Sequence, residues 1–318
     1  MSRITRVNDG FQSAWLHPRY WLTWLLVAFA YVMGWLPWAL QRRCGAGLGW
    51  LAYHFVPQRV EDTRINLKLC YPTLNDDERE AMVRDVFRQG GIGVMETAAA
   101  WIKPTESHRP RILVEGLEHV IAAQAQGKGL IILGAHYSGL DLNGTAASLF
   151  FPLHVVYRPQ NNPVLDFFIR RCRSKTYAGQ IDHADMRTLF KCLKAGEIVW
   201  TSVDQDFGLK QGVMAPFFGY PAATLIATSR MARVNNSPVV FVHFMRNPDE
   251  QTYTMHFTPP LANYPSGDDV VNATRLNTEL ETLIRRAPTQ YMWFHRRFKS
   301  RPAGEAAPYA KKNRKRRK

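Results

Sequence analysis

The sequence predicts an α/β fold with a central, mostly parallel sheet flanked by helices, and two observations support this. From residue 105 onward, short apolar runs alternate with segments of helical length, and repeated strand-then-helix units of this kind build parallel sheets. One run, residues 129–134, is apolar throughout between two glycines, which is typical of a strand buried on both faces. Before residue 105 the pattern is helical, so we predict helices ahead of the sheet.

The first predicted helix lies in an uncharged stretch. Residues 20–40 are rich in Trp and Leu and contain no charged side chain, and their number matches the hydrocarbon core of a bilayer. We therefore predict an N-terminal membrane-anchoring helix. Basic residues on both flanks and Pro37 within the stretch leave a full span and a tilted interfacial helix both open. A buried core helix is the alternative.

Two further helices are predicted before the sheet. One covers residues 59–69. The next begins after Asn75, an N-cap residue followed by three acidic side chains, and it continues to about Trp101. Gly90, Gly91 and Gly93 within this long helix indicate the close approach of another element. The glycine-rich residues 45–49 indicate a turn or close helix packing.

The remaining elements follow from apolar periodicity and from turn residues. Predicted strands cover residues 111–114, 129–134, 153–157, 197–203, 238–245 and 252–258. Predicted helices cover residues 116–126, 139–150, 182–195, 221–234 and 268–286, and another begins at Pro163. The chain is thereby divided into an anchor at residues 1–43, a catalytic domain at residues 44–302 and a basic tail at residues 303–318.

The best candidate site follows the strand at residues 129–134. His136 and Asp141 fall in the turn and the first helical turn that come next, and open α/β sheets place their chemistry at the carboxyl ends of strands. A neutral imidazole can take a proton from a hydroxyl when a carboxylate holds its other nitrogen. We predict that His136 is a general base and that Asp141 orients it, provided that His136 lies before the helix begins.

A structural interpretation of the same residues stays open. Ser138 and Asp141 fit a capping-box pattern, and a first-turn acid is favoured by the helix dipole without any catalytic role. A nucleophilic role for Ser138 is disfavoured, because a nucleophile elbow has glycine two residues to either side, and these positions are His136 and Leu140.

Polar side chains also follow two other predicted strands. Arg158 comes after the strand at residues 153–157, and Asp204 and Asp206 come after the strand at residues 197–203. A guanidinium can grip a phosphate or carboxylate with two hydrogen bonds, so we predict that Arg158 binds substrate. The spacing of Asp204 and Asp206 is weak support for a magnesium site. We predict instead that they orient an arginine or bind substrate hydroxyls.

The charge of the chain points to an anionic partner. The formal net charge is +15, and residues 311–318 supply seven of these charges. A basic tail together with an apolar N-terminal stretch favours an anionic membrane surface, whereas no recognised nucleic-acid module accompanies the tail. The four cysteines are far apart, so we predict reduced thiols in a cytosolic compartment, with neither a disulfide framework nor a zinc site.

Four blocks of sequence resemble the late acyltransferases of lipid A biosynthesis. The first, HYSGLD at residues 136–141, matches their H-x4-D/E signature, which glycerolipid acyltransferases share. The others are VYRP with NP at residues 156–159 and 162–163, DQDFG at 204–208, and QYMWFHRRFK at 290–299. The likeness extends from the anchor to about Pro302, and the order of the blocks makes it specific.

The resemblance implies a fold like that of glycerolipid acyltransferases and an enzyme of the bacterial inner membrane with its active site on the cytoplasmic side. Such an enzyme would move a fatty acyl chain from acyl carrier protein to the hydroxyl of a 3-hydroxyacyl chain on a Kdo-bearing lipid A precursor. By position, His136 would be the base and Asp141 its partner, and Arg158 and Asp204 would bind substrate or steady the oxyanion.

The chemistry of that reaction requires neither a metal nor a redox cofactor, because a thioester is already activated. Two other functions stay open. The protein could acylate another bacterial lipid, such as an ornithine lipid or a glycosylated phospholipid. It could also be a membrane-tethered protein with an inactive site that binds anionic lipid through its basic surface.

Overall fold

A seven-stranded sheet forms the centre of the fold in the computed structural model, which describes residues 10–302 and 304–309. Including the two strands of a separate hairpin, the described residues form β1 (Ile112–Glu115), β2 (Leu130–Gly134), β3 (Leu153–Tyr157), β4 (Gly179–Asp182), β5 (Ile198–Ser202), β6 (Gly212–Phe217), β7 (Tyr220–Leu225), β8 (Val239–Arg246) and β9 (Tyr253–Phe257). The order in the sheet is β1-β9-β8-β2-β5-β3-β4, while β6 and β7 pair separately. Because only the β8–β9 pairing within this sheet is antiparallel, the predicted mostly parallel α/β architecture is confirmed.

Ten α-helices surround this sheet in the described part of the chain. They are α1 (Trp21–Trp35), α2 (Trp38–Phe55), α3 (Pro57–Cys70), α4 (Asp76–Ile102), α5 (Leu117–Gln124), α6 (Leu140–Ala147), α7 (Pro163–Arg173), α8 (Met186–Lys194), α9 (Ala227–Asn235) and α10 (Asp269–Arg286). Alternate side chains of β2 enter two separate cores: Ile131 and Leu133 lie in one, and Leu130 and Ile132 in the other. This alternation puts β2 between two helical layers, as its continuous apolar sequence predicts.

The long helix α4 begins as predicted and packs closely on α2. The side chain of Asn75 accepts a hydrogen bond from the backbone N–H of Glu78, and the Glu78 carboxylate accepts one from the N–H of Asn75. Further along, a Cβ at Gly91 would lie 2.1 Å from the carbonyl oxygen of Gly45. The glycines of α2 and α4 therefore allow the two backbones to touch, and the predicted close approach is confirmed.

The stretch at residues 20–40 is not a single helix, and this corrects our prediction of one continuous anchoring helix. Helix α1 ends at Trp35, and α2 begins at Trp38 with Pro37 as its N-cap residue. Proline disfavours helical backbone in the residue before it, and Leu36 is extended here, with ψ of 152°. The amide of Gln41 donates to the carbonyls of Met33 and Gly34 and stabilises the break.

The structure bears on the predicted anchor, on the boundary that follows it and on the predicted tail. Over residues 10–302 and 304–309, none of the helices combines the length and the apolar character needed to cross a bilayer. The predicted boundary after residue 43 falls inside α2, which packs along α4. The predicted basic tail lies outside the described residues at position 303 and from residue 310 onward.

The predicted helix at residues 221–234 is wrong in its first half. Residues up to Leu225 form β7, which pairs with the unpredicted strand β6 in an antiparallel hairpin, and α9 begins only at Ala227. The hairpin turns through Phe218 and Gly219, both with positive φ, as tight two-residue turns require. An apolar run of this length fits a strand or a helix equally well, so periodicity could not decide between them.

Candidate active site

The carboxyl ends of three neighbouring strands bring the predicted site residues to one edge of the sheet. Strand β5 lies between β2 and β3, and all three are parallel. Gly134 at the end of β2 pairs with Ser202 at the end of β5, so residues two positions beyond each strand also face each other. These residues are His136 and Asp204. The register of the sheet therefore places a base next to a carboxylate.

His136 is held by Asp204 at two points. Its ring nitrogen Nδ1 lies 2.7 Å from Oδ1 of Asp204, and its backbone N–H donates to Oδ2 of the same carboxylate over 2.8 Å. The Asp204 side chain is 1% exposed and the His136 side chain is 18% exposed. One carboxylate thus sets both the backbone and the ring orientation of His136, and it leaves part of the imidazole open to solvent.

Burial and charge act in opposite directions on this pair. Burial alone lowers the pKa of His136, but the charge of Asp204 and its hydrogen bond outweigh this effect, so the pKa is raised above its usual value. Burial opposes ionisation of Asp204 as well, yet the charge and hydrogen bonds of His136 lower the pKa of Asp204 to about 2. Asp204 is therefore ionised at neutral pH and accepts a hydrogen bond from Nδ1–H, which leaves the lone pair of neutral His136 on Nε2.

Two further side chains lie close to the His136 ring. The amide nitrogen of Gln205 lies 3.1 Å from Nε2. The ring of His295 lies with its centroid 5.3 Å from that of His136 in an edge-on arrangement. Burial, followed by the charges of His136 and Arg59, lowers the pKa of His295 to about 4. His295 is thus neutral at physiological pH and adds no positive charge beside the base.

Asp141 forms neither a hydrogen bond nor an ion pair with His136, which corrects the predicted pairing. The Asp141 carboxylate instead accepts a hydrogen bond from Nε of Arg173 over 2.8 Å, and Nη2 of Arg173 lies at the same distance. Asp141 is in the first turn of α6, as predicted, but the N-cap residue of this helix is Gly139 rather than Ser138. The expected Ser138 cap is therefore also wrong.

Asp206 and Arg158 differ in how their side chains are used. The carboxylate of Asp206 accepts hydrogen bonds from the backbone N–H of Gly208 and from the N–H and hydroxyl of Ser300. It thereby joins the loop after β5 to the C-terminal segment. The side chain of Arg158 is exposed at the carboxyl end of β3. Substrate binding by either residue stays a prediction.

The C-terminal block QYMWFH is part of the same site. The backbone N–H of Met292 donates to the carbonyl of His136, and that of Ser138 donates to the carbonyl of Gln290. Tyr137 and Tyr291 form an antiparallel bridge between these segments. The turn after β2 is therefore held from both sides, by Asp204 of one segment and by the main chain of another.

Three residues that contact the predicted site residues were missed at the level of sequence: Arg173, Gln205 and His295. Arg173 is one of several basic residues in the last turn of α7, where cations are favoured by the helix dipole in any case. Gln205 stands between the two predicted aspartates, and its amide chemistry alone gave no signal. His295 lies in the C-terminal block, where only its place in the resemblance drew attention to it.

A potential metal-binding cluster lies at the opposite edge of the sheet. Among the described residues, His154, Cys192 and Glu197 place one ligand atom each within 4.8 Å of one another. Nε2 of His154 lies 3.2 Å from the Glu197 carboxylate, and its Nδ1 lies 4.0 Å from the sulfur of Cys192. Hydrogen bonding among the three accounts for their arrangement. The cluster belongs to the amino ends of β3 and β5, away from His136.

Comparison with known proteins gives a consistent result over almost the whole chain. Residues 8–300 match the family described as bacterial lipid A biosynthesis acyltransferase. The chain is similar to a lipid A biosynthesis lauroyltransferase of Escherichia coli (strain K12), with 37% identity over 94% of this chain and 98% of that protein. A palmitoleoyltransferase of the same organism is 36% identical with the same coverage, and a myristoyltransferase is 28% identical over 95% of this chain and 94% of that protein.

Proposed function

Because the chain belongs to the bacterial lipid A biosynthesis acyltransferase family and is thus an acyltransferase, we propose a specific reaction for it. In this proposal it transfers a fatty acyl group from acyl carrier protein to the hydroxyl of a 3-hydroxyacyl chain on a Kdo-bearing lipid A precursor. The observation that carries the proposal is the His136–Asp204 pair, in which a buried carboxylate holds Nδ1 and leaves Nε2 as the proton acceptor.

The proposed transfer needs only acid–base and positioning chemistry. The acceptor hydroxyl gives its proton to Nε2 of His136 as its oxygen attacks the thioester carbonyl, and Asp204 stabilises the imidazolium that forms. The carbon–sulfur bond of the tetrahedral intermediate then breaks. The proton on Nε2 returns to the departing sulfur, which releases the free thiol of the carrier and leaves the base neutral. The new ester bond joins the acyl group to the acceptor oxygen.

Asp141 and Arg158 receive supporting roles in this proposal. Asp141 is bound to Arg173 rather than to His136, so we assign it to positioning the guanidinium of Arg173. Arg158 is exposed at the same sheet edge as His136, where a guanidinium suits the phosphate of either substrate. The net charge of +15 favours the approach of an acidic carrier protein and of a phosphorylated glycolipid.

We further propose that α1 lies in the interface of the inner membrane on its cytoplasmic side. One face of this helix is apolar and exposed: Trp21, Leu22, Leu25, Leu26, Phe29 and Val32 are each more than half exposed. Such a face, with basic residues nearby, is typical of interfacial helices. Thr23 of α1 accepts a hydrogen bond from Asn162, which lies in the loop after Arg158, so this helix adjoins the active-site edge.

The membrane part of the proposal is tested with vesicles that contain anionic lipid. Phe29→Glu should weaken vesicle binding, because it puts a charge on the apolar face of α1. Leu113→Glu is the matched control, since Leu113 is similarly exposed, at 55%, but lies on β1. Equal binding by both variants and the wild type would contradict an interfacial role for α1.

The reaction itself is tested by transfer from a panel of acyl carrier protein thioesters to a Kdo-lipid A precursor, with solubilised enzyme. His136→Ala should lose about 10²–10⁴-fold in rate, the usual contribution of a general base. The control is His183→Ala, which removes a half-exposed histidine after β4, and circular dichroism checks the folding of both. Wild-type transfer that persists in His136→Ala would refute the mechanism, and folded wild type without transfer would refute this acceptor.

A further inference from the structure

The side chain that faces the proposed base is Gln205. Its amide nitrogen lies 3.1 Å from Nε2 of His136. The other ring nitrogen, Nδ1, is engaged by the ionised carboxylate of Asp204 at 2.7 Å. Every hydrogen-bonding position of the His136 ring is therefore occupied by two consecutive residues of the loop after β5.

The protonation state of the ring determines the direction of the Gln205 bond. Asp204 accepts a hydrogen bond from Nδ1–H, so neutral His136 carries a lone pair on Nε2. A lone pair requires a donor, and the NH₂ group of the glutamine is the donor within reach. The amide nitrogen thus occupies the position that the hydroxyl of an acyl acceptor must take in order to give its proton to Nε2.

The loop that carries Gln205 is held in place on both sides. Asp204 is bound to the ring and backbone of His136. Asp206 is bound to Gly208 and to Ser300. Movement of Gln205 away from Nε2 is therefore a rotation of its own side chain, and the backbone can stay where it is.

We propose that Gln205 is a positioning residue that covers the base until the acyl acceptor displaces it, and that it thereby favours acyl transfer over hydrolysis of the thioester. This inference rests on the proposed function for the identity of the acceptor, and on geometry for the covering of Nε2. A water molecule is smaller than the acceptor and makes no other contacts that would drive the amide aside. The acceptor lipid brings binding interactions of its own, which supply that driving force.

The side reaction that Gln205 suppresses has the same chemistry as the transfer. A water molecule at Nε2 gives one proton to His136 as its oxygen attacks the thioester carbonyl. The carbon–sulfur bond breaks, the proton passes from Nε2 to the sulfur, and the products are a free fatty acid and the carrier thiol. Hydrolysis consumes the donor without forming any product lipid. Covering Nε2 until the acceptor binds therefore prevents this loss of the donor.

The first experiment measures hydrolysis and transfer separately in Gln205→Ala. Without acceptor, hydrolysis of acyl carrier protein thioester should rise about five- to tenfold, the factor expected when one neutral hydrogen bond no longer competes for the base. With acceptor present, the ratio of transferred to hydrolysed acyl groups should fall accordingly. Gln211→Ala is the matched control, because Gln211 is an exposed glutamine at the end of the same loop.

The second experiment does not depend on the reaction. The lone pair of a neutral imidazole attacks a carbonyl carbon of diethyl pyrocarbonate and takes up its ethoxycarbonyl group, with ethyl carbonate as the leaving group. Mass spectrometry of peptides gives the rate of this modification at His136. This rate should rise about five- to tenfold in Gln205→Ala, for the same reason, while the rate at the exposed His183 stays the same. Unchanged modification of His136 would overturn the covering role of Gln205.

The two experiments separate a failure of this inference from a failure of the proposed function. If Gln205→Ala raises both hydrolysis and modification of His136 while wild type does not acylate the lipid A precursor, the covering role stands and the acceptor is wrong. If wild type does acylate the precursor and Gln205→Ala leaves hydrolysis unchanged, the proposed reaction stands and the role of Gln205 is overturned.

Discussion

Two aspartates, Asp141 and Asp204, stand at the same edge of the sheet and have different partners. Asp141 is five positions from His136 in the sequence, yet it is bound to Arg173. Asp204 is 68 positions away, and it holds both the ring and the backbone of His136. The comparison shows that strand adjacency, and not nearness along the chain, selects the carboxylate that reaches the imidazole.

The physical reason lies in the different elements that carry the two acids. Asp204 extends from β5, the direct neighbour of β2, at a position in register with His136. Asp141 belongs to α6, which begins only after the turn that contains His136. Once the helix starts, its first turn carries Asp141 towards α7, where Arg173 lies. Asp141 is therefore close to His136 in the sequence, but its carboxylate binds Arg173 instead of the imidazole.

The largest expected effect separates the two acids directly. Asp204→Asn should lower the rate of acyl transfer by about 10³–10⁴-fold, because an amide no longer holds the Nδ1–H tautomer or stabilises the imidazolium. Steady-state transfer assays measure this loss, with Asp182→Asn as a control that alters a carboxylate at the end of β4. A loss of less than tenfold would remove Asp204 from the mechanism and restore Asp141 as the candidate partner.

Asp141→Asn should have a smaller effect on rate and a larger effect on stability. The substitution leaves the partly buried Arg173 without its counter-charge, and because breaking one side of a fully buried pair destabilises a protein by about 3 kcal/mol, we expect a loss of up to that size. Denaturant unfolding measures this change, and Asp141→Glu should retain part of the activity because it keeps the charge. If Asp141→Asn were as inactive as Asp204→Asn but fully stable, Asp141 would have a direct part in the chemistry.

The pH dependence of the rate also distinguishes Asp204 from Asp141 as the partner of His136. A general base must be neutral, so kcat/KM should rise with pH and level off above the pKa of His136, which Asp204 raises above its usual value. Removing the charge of Asp204 should shift the rising part of this pH profile to lower pH, whereas removing the charge of Asp141 should leave it in place. A pH profile that shifts equally in both variants would contradict the assignment of Asp204 as the partner of His136.

The smallest expected effect concerns Arg158. Because its side chain is exposed, Arg158→Ala should raise KM several-fold, by about the 1 kcal/mol of one charge-assisted contact to a substrate, with little change in stability. Initial rates over a range of carrier and lipid concentrations measure which substrate is affected. An unchanged KM for both substrates would remove Arg158 from the binding site.

The N-terminal region also shows what a sequence pattern can and cannot predict. The composition of residues 20–40 correctly indicates an apolar surface, since most of the large side chains of α1 are exposed. Length alone could not show that Pro37 divides the stretch, with Gln41 stabilising the break. The hairpin of β6 and β7 was missed for a similar reason, because a short apolar run does not distinguish a strand from a helix.

Local physical chemistry by itself determined the parallel sheet, the buried strand β2, the capped helix α4 and the position of His136 at a strand end. Each of these follows from side chains close together in sequence, where periodicity, capping and turn preferences act directly. Only the tertiary structure decided that Asp204 holds His136, that Arg173 holds Asp141 and that Gln205 covers Nε2. These contacts depend on the order and register of β2 and β5, which are set by packing between distant segments and leave no periodic signal in the sequence.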